Sequence, residues 1–180
     1  MTKPMVLCID RFALEDQNIP LSANGIYPFD LNKVNTDDYQ FINRKVCDDK
    51  NEHTFNHSVG YRFPQILPYI AIKSPEGKYL TYSRNGTETR LHGSRSLGIG
   101  GHIDIYDLYD LDSHLFNNLI QTIAQATHRE LREEINVAAM FDTALLNRII
   151  VDTTNPVGCV HVGLTTTLIA EQHTIQPQEE

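Results

Sequence analysis

The period of the apolar positions changes several times along the chain, and each change marks an element. Residues 5–11, MVLCIDR, read as a short buried strand. Residues 12–60 are polar, with turn formers in SANGIYPFD and DDKNEH. Within them TDDYQFINRKV predicts a short helix with Thr36 as its N-cap. FPQILPYIAIKS (63–74) reads as a strand whose two prolines put its first half at an edge or a bend. Pro75-Glu76-Gly77 is turn chemistry, and the strand Tyr79–Tyr82 completes a hairpin.

After the polar connection NGTETRLHGSRS and the run LGIGGHIDIYD comes the clearest helical pattern. Leu115, Phe116, Leu119, Ile120, Ile123, Ala124, Leu131 and Ile135 follow a period near 3.6 residues. Asp112 or Ser113 can cap its start, and Asn136 can end it in the left-handed conformation. NRIIV, the turn DTTNPVG and CVHVGLTTTLIA then predict a second long hairpin, before a polar tail at 173–180. Strands, one long helix and strands again indicate a mixed α+β domain; a doubly wound sheet would alternate helices with strands.

Composition narrows the picture. A chain of 180 residues with 41% hydrophobic content has material for one domain and a normal core. A net charge of -8 argues against a broad basic surface for nucleic acid, but leaves room for a nucleotide held by a few local cations or a metal ion. No apolar run is long enough for a transmembrane helix, and the N-terminal stretch is too short for a signal peptide. Cys8, Cys47 and Cys159 are widely spaced, which fits reduced thiols in the cytoplasm and not a zinc site.

The candidate chemistry lies in RELREEINV. Glu130, Glu133 and Glu134 are spaced i, i+3 and i+4, so a helix puts them on one face. Clustered carboxylates repel, and all-oxygen ligands suit a hard divalent cation such as Mg²⁺ or Mn²⁺. Arg129, four residues before Glu133, can neutralise and orient it. The plain alternative is a solvated helix face with i,i+4 ion pairs. Gly100 and Gly101 tip the balance: they permit positive φ and close backbone approach, and a carbonyl there can complete a metal shell. GIGG has neither the spacing of a dinucleotide fingerprint nor a following GK[ST].

Taken together, GIGGHID…D…THRELREEINV resembles the Nudix hydrolase signature, G-x5-E-x7-R-E-U-x-E-E-x-G-U with U a bulky aliphatic residue. Gly101 matches the first glycine; Arg129, Glu130 and Leu131 match R-E-U; Glu133 and Glu134 match the paired glutamates, and Val137 the last aliphatic. Asp107 stands where the first glutamate belongs, Asn136 replaces the late glycine, and 21 residues instead of seven separate Asp107 from Arg129. The likeness covers roughly 60–172, which leaves 1–60 as an N-terminal extension packed on a catalytic domain at 61–172.

The resemblance implies an α/β/α sandwich around a mixed sheet and Mg²⁺-dependent hydrolysis of a nucleoside diphosphate linked to another moiety. It implies Glu130 and Glu134 as main metal ligands, Glu133 as a further ligand or the base, the Gly100 carbonyl as a main-chain ligand and Arg129 as the orienting residue. Asp107 is the remaining candidate ligand. Asp152 or Glu171, in later loops, could serve as base instead of Glu133. Arg84, Arg90, His92 and Arg95 concentrate positive charge before the turn, and with His102 they are candidate substrate contacts. Tyr69, Tyr79 and Tyr82 could stack on a base. With only the tail after the last strand, a homodimer is expected to cover the open face. A silent nucleotide-binding sensor of the same fold is the alternative function.

Overall fold

A computed structural model describes residues 4–20, 22, 24–48, 58–83, 95–108, 115–135 and 146–169. Met5–Ile9 (β1) is apolar throughout because Val6 to Ile9 are all buried, with both faces of the strand covered. It runs into the short helix Arg11–Glu15 (α1), capped by Asp10. Gly25–Pro28 (β2) and Tyr39–Asn43 (β3) follow, then the short helices Arg44–Cys47 (α2) and Val59–Arg62 (α3). Gln65–Lys73 (β4), Tyr82–Ser83 (β5), Arg95–Ser96 (β6) and Gly98–Ile99 (β7) precede the long helix Leu115–Ile135 (α4). Arg148–Val151 (β8) and His161–Ile169 (β9) complete the described elements.

One sheet runs in the order β2-β8-β9-β4-β1-β3, with β7 also paired to β4. β4 and β9 are parallel in register from Gln65↔His161 to Lys73↔Ile169, and the other pairs are antiparallel. This is the mixed sheet of an α+β fold. α4 lies on it through Leu119, Ile123, Ala126, Leu131 and Ile135, which share a core with Leu7, Ile9, Ile66, Ile70, Ile72, Val162 and Leu164. Of the expected apolar stripe, Leu119, Ile123, Leu131 and Ile135 are buried, Ala124 is half-buried and Ile120 is 38% exposed, while Thr122 and Thr127 are buried; the side chains of Leu115 and Phe116 lie outside the described residues. Thr127 bonds its hydroxyl to the Ile123 carbonyl at 2.7 Å, which makes its burial tolerable.

The β8–β9 hairpin forms as predicted; of the first hairpin the turn forms, but the expected strand Tyr79–Tyr82 does not, and Tyr82–Ser83 pairs with Arg95–Ser96 instead. Gly77 takes φ 87°, and its amide bonds the Ser74 carbonyl. Beyond the turn only Lys73↔Tyr79 pairs as an isolated bridge.

Two expectations are corrected. Thr36–Asp38 is a single 3-10 turn with a capping box between Asn35 and Asp38, and YQFIN is a strand, because it fills the free edge of β1 from Met5↔Asn43 to Ile9↔Tyr39. β4 is central despite Pro68. On its β1 side it pairs with Cys8 at Gln65 and with β7 at Ile70 and Ala71, and Pro68 falls in the gap between them. No strand neighbours Pro68 on that edge, so its missing N–H costs no ladder bond there. The first 60 residues supply β1, β2 and β3 to this same sheet.

Candidate active site

The gap beside Pro68 is where the site is built. The chain leaves β4 after Ile99 and reaches β1 four residues later, where the Leu7 amide donates to the Ile103 carbonyl at 2.9 Å and Val6 bridges Asp104. Residues 100–102 cross the opening between β4 and β1. A β-carbon added to Gly100 would stand 1.7 Å from the Pro68 carbonyl oxygen, and one on Gly101 2.3 Å from Oε1 of Glu130. Neither glycine has positive φ; the described glycines that do are Gly25 and Gly77. Close approach alone therefore requires Gly100 and Gly101, which corrects half of the expectation for them.

Arg129 gathers the rest. Its Nε donates to Asp107 Oδ1 and its Nη2 to Asp107 Oδ2, both at 2.9 Å. Nη2 also donates to the His102 carbonyl at 2.9 Å. Nη1 is shared by Glu130 Oε1 at 2.7 Å and Glu133 Oε2 at 3.2 Å. Asp107 closes the turn Ile105–Asp107, where its Oδ2 takes the Asp104 amide at 2.8 Å. Hydrogen bonding to Asp107, more than any other cause, holds the Arg129 guanidinium well above its usual range. Burial pushes the Glu130 carboxyl up; Arg129 opposes this, and the charges of Glu133 and Glu134 reinforce it.

Asp107, one of the candidate ligands, is the bidentate partner of Arg129: both its oxygens accept from the guanidinium, and its side chain is only 7% exposed.

The carboxylate face suits positive charge. Two of its three glutamates already converge on one cationic nitrogen, and burial still leaves Glu130 under-compensated. The donors are all oxygen, which fits a hard divalent ion. As the side chains stand, no three His, Cys, Asp or Glu groups among the described residues are placed to hold a metal ion.

Comparison with known proteins places the fold. No family model matches the sequence. Protein YmaB of Bacillus subtilis (strain 168) is 34% identical over 110 residues, 59% of this chain and 50% of that protein. The chain thus spans half the length of this curated relative. Among solved structures, that of Tm1382, "a putative Nudix hydrolase", is similar at TM-score 0.66 and 19% identity, over 98% of this chain and 80% of that one. The chain has a Nudix fold. The structural likeness takes in nearly the whole chain.

In this fold the spacing from Gly101 to Asp107 brings the turn and Asp107 to Arg129. α4 begins fourteen residues before Arg129. Arg95 is exposed and bonds Thr81 Oγ1 at 2.7 Å, within the β5–β6 ribbon. Arg84, Arg90, His92, Asn136, Val137 and Glu171 lie outside the described residues, as do the proposed caps Asp112 and Ser113.

Asp152 is a turn residue: it accepts from the Thr154 amide at 2.8 Å and hydroxyl at 2.5 Å and from Asn155 at 3.1 Å. Those bonds, the Thr154 hydroxyl first, hold its carboxyl below the usual range. Tyr69 and Tyr82 serve β7: Tyr69 Oη accepts from the Gly98 amide at 3.1 Å, and Tyr82 Oη donates to the Gly98 carbonyl at 3.2 Å. Tyr79 is 47% exposed on the hairpin, with Lys73 Nζ 5.5 Å from its ring.

His102 sets its ring against His161. Its Nε2 lies 3.3 Å from Nε2 of His161, with the rings edge to face at 65°. Burial, followed by the charge of Arg44, pushes His102 down to about 3, so its ring is neutral at physiological pH. Sequence spacing carried no sign of this pair, because 58 residues separate the two histidines.

Proposed function

We propose that the chain is a Mg²⁺-dependent Nudix hydrolase, tolerant of Mn²⁺, that cleaves the pyrophosphate bond of a nucleoside diphosphate linked to another moiety. One observation carries this reading: Glu130 packs against Gly101 while Arg129 ties it to Glu133, Asp107 and the turn. Glu130, Glu133, Glu134 and the Gly100 carbonyl would hold the ion, which supplies charge neutralisation of the diphosphate.

Arg129 fixes the directions of Glu130 and Glu133, so that little reorganisation is left when substrate arrives. Glu133 is the freer of the two, its side chain 58% exposed, and it takes the proton from the attacking water. Arg84, Arg90 and Arg95 supply guanidinium forks for the phosphates. His102 contributes its backbone in place of the ring contact expected for it. The proposal extends to the cytoplasm, where Cys8, Cys47 and Cys159 stay as free thiols, and to a homodimer, which sedimentation would check.

The test is a substrate screen with Mg²⁺ and Mn²⁺ over nucleoside triphosphates, ADP-ribose, dinucleotides, dinucleoside polyphosphates and sugar nucleotides, with released phosphate read after phosphatase coupling. We expect one class to turn over and Glu134→Gln to abolish that turnover with an unchanged melting temperature. Wild-type turnover in Glu134→Gln would reject the ligand assignment. A silent nucleotide sensor is the second reading, favoured by Asp107 in place of the signature's first glutamate and by the longer spacing from it to Arg129. It predicts nucleotide binding by calorimetry without hydrolysis.

A further inference from the structure

We infer that His161 is a positioning residue for this site: through the ring of His102 it fixes the carbonyl that holds Arg129. The inference rests on the proposed function for its consequence, but its geometry stands apart from it.

His161 opens β9, far in sequence from the signature and on a different element. Its Nδ1 lies 2.7 Å from the Val157 carbonyl oxygen. A carbonyl can only accept, so Nδ1 carries the proton, and in a singly protonated ring Nε2 is left as an acceptor. The group facing that acceptor at 3.3 Å is Nε2 of His102. Two ring nitrogens at this distance need one proton between them, and the Val157 carbonyl decides which ring supplies it. His102 is therefore the Nε2–H tautomer and donates to His161.

The orientation of His161 is itself set by the β8–β9 loop. Asn155 Oδ1 accepts from the amides of Val157 and Gly158 at 3.0 and 2.9 Å, which fixes the peptide whose carbonyl His161 uses. The chain of contacts runs from that loop through His161 and His102 to Arg129, and from Arg129 to Asp107, Glu130 and Glu133. Gly100 and Gly101 have no side chains to anchor the crossing. The ring of His102 is thus the one side chain in residues 100–102 that can hold it, and His161 is what it holds on to. Side chains that orient a ligand-bearing group from behind have effects on metal affinity of about 10–100-fold.

The test uses the full chain and two variants. His161→Phe keeps a ring but removes the acceptor, and His161→Gln offers an oxygen in its place. Long-range proton–nitrogen NMR on the native chain should show His161 protonated at Nδ1 and His102 at Nε2. In folded His161→Phe the Arg129 Nε–H resonance should shift or broaden and Mn²⁺ affinity should fall about tenfold, while His161→Gln should recover most of both.

Opposite tautomers overturn the inference. So does an Arg129 resonance unmoved in a His161→Phe variant whose circular dichroism is native. Failure of the native chain to bind Mn²⁺ would overturn the proposed function instead, and the Arg129 resonance would still decide the role of His161.

Discussion

Gly100 and Gly101 are neighbours, yet a methyl group added to each should do different damage. On Gly101 the new carbon would stand 2.3 Å from Oε1 of Glu130 and 2.4 Å from its Cδ and Oε2. Ordinary contact begins near 3.4 Å, so something must move. What is struck is the end of a side chain with free torsions, so the backbone can stay. The carboxylate must retreat by about 1 Å, a misplacement worth on the order of 100-fold in rate for a group that must stay in register. The cost to stability should be about 1 kcal/mol, since only one side chain is displaced. In a chain of this size that is roughly 2–4 °C in melting temperature.

Gly100→Ala is the control. Its methyl would meet the Pro68 carbonyl oxygen at 1.7 Å and the Pro68 carbonyl carbon at 2.8 Å. Those are backbone atoms of β4, which pairs with β9 along its whole length, so no torsion can clear the clash. We expect a loss of about 3 kcal/mol or more, a fall of roughly 6–12 °C. Circular dichroism melts and Mn²⁺ titration followed by electron paramagnetic resonance separate the two effects. Gly101→Ala should melt near the native temperature with metal binding and turnover largely lost. A Gly101→Ala variant with native melting and native Mn²⁺ affinity would refute the reasoning, because Glu130 would then not need its place against the turn.

Other substitutions probe the surroundings. Asp107→Asn removes the charge from a nearly buried partner of Arg129 and should cost roughly 2 kcal/mol by urea unfolding, less than for a fully buried pair because Arg129 keeps Glu130 and Glu133. Asp152→Asn should leave turnover within about twofold, as expected when no proton-transfer factor is lost, since its oxygens are occupied by Thr154 and Asn155; a loss of several hundredfold would restore it as the base.

Asp10 supplies a pH test. Burial pushes its carboxyl up, but hydrogen bonds from Arg62 and the Phe12 amide together outweigh that and hold it below its ordinary value. A lowered carboxylate stabilises the fold above its unfolded value, about pH 4, and that contribution is lost as pH falls through the lower folded value. Asp10→Asn should therefore be less stable than the native chain above about pH 4, with the difference closing in stronger acid.

Which parts of the fold were legible follows from the range of the interactions behind them. α4 was readable because its stripe is a local, periodic property, and so were the turn at Gly77 and the β8–β9 hairpin, whose turns carry their own chemistry. YQFIN was not. Its capping box is local and pointed to a helix, but the open edge of β1 decided the matter, and that edge is only defined once residues 5–9 are placed. Ile120 and Thr127 show the same limit within α4, since which positions face the sheet depends on how the helix lies on it.

The site divides along the same line. Arg129, Glu130 and Glu133 share one helix, so their mutual geometry could be worked out from spacing alone. Asp107 and His102 reach Arg129 across the fold, and their roles could not. Pro68 and Gly100 make the point most sharply. Each reads locally as an interruption, a proline that should push a strand to an edge and a glycine that should mark a turn. Together they are complementary: Pro68 leaves a strand edge without an N–H, and Gly100 lets the crossing chain pass against the carbonyl of that same residue. The opening that sets Gly101 beneath Glu130 exists because two breaks in pattern, 32 residues apart, fall side by side in the sheet.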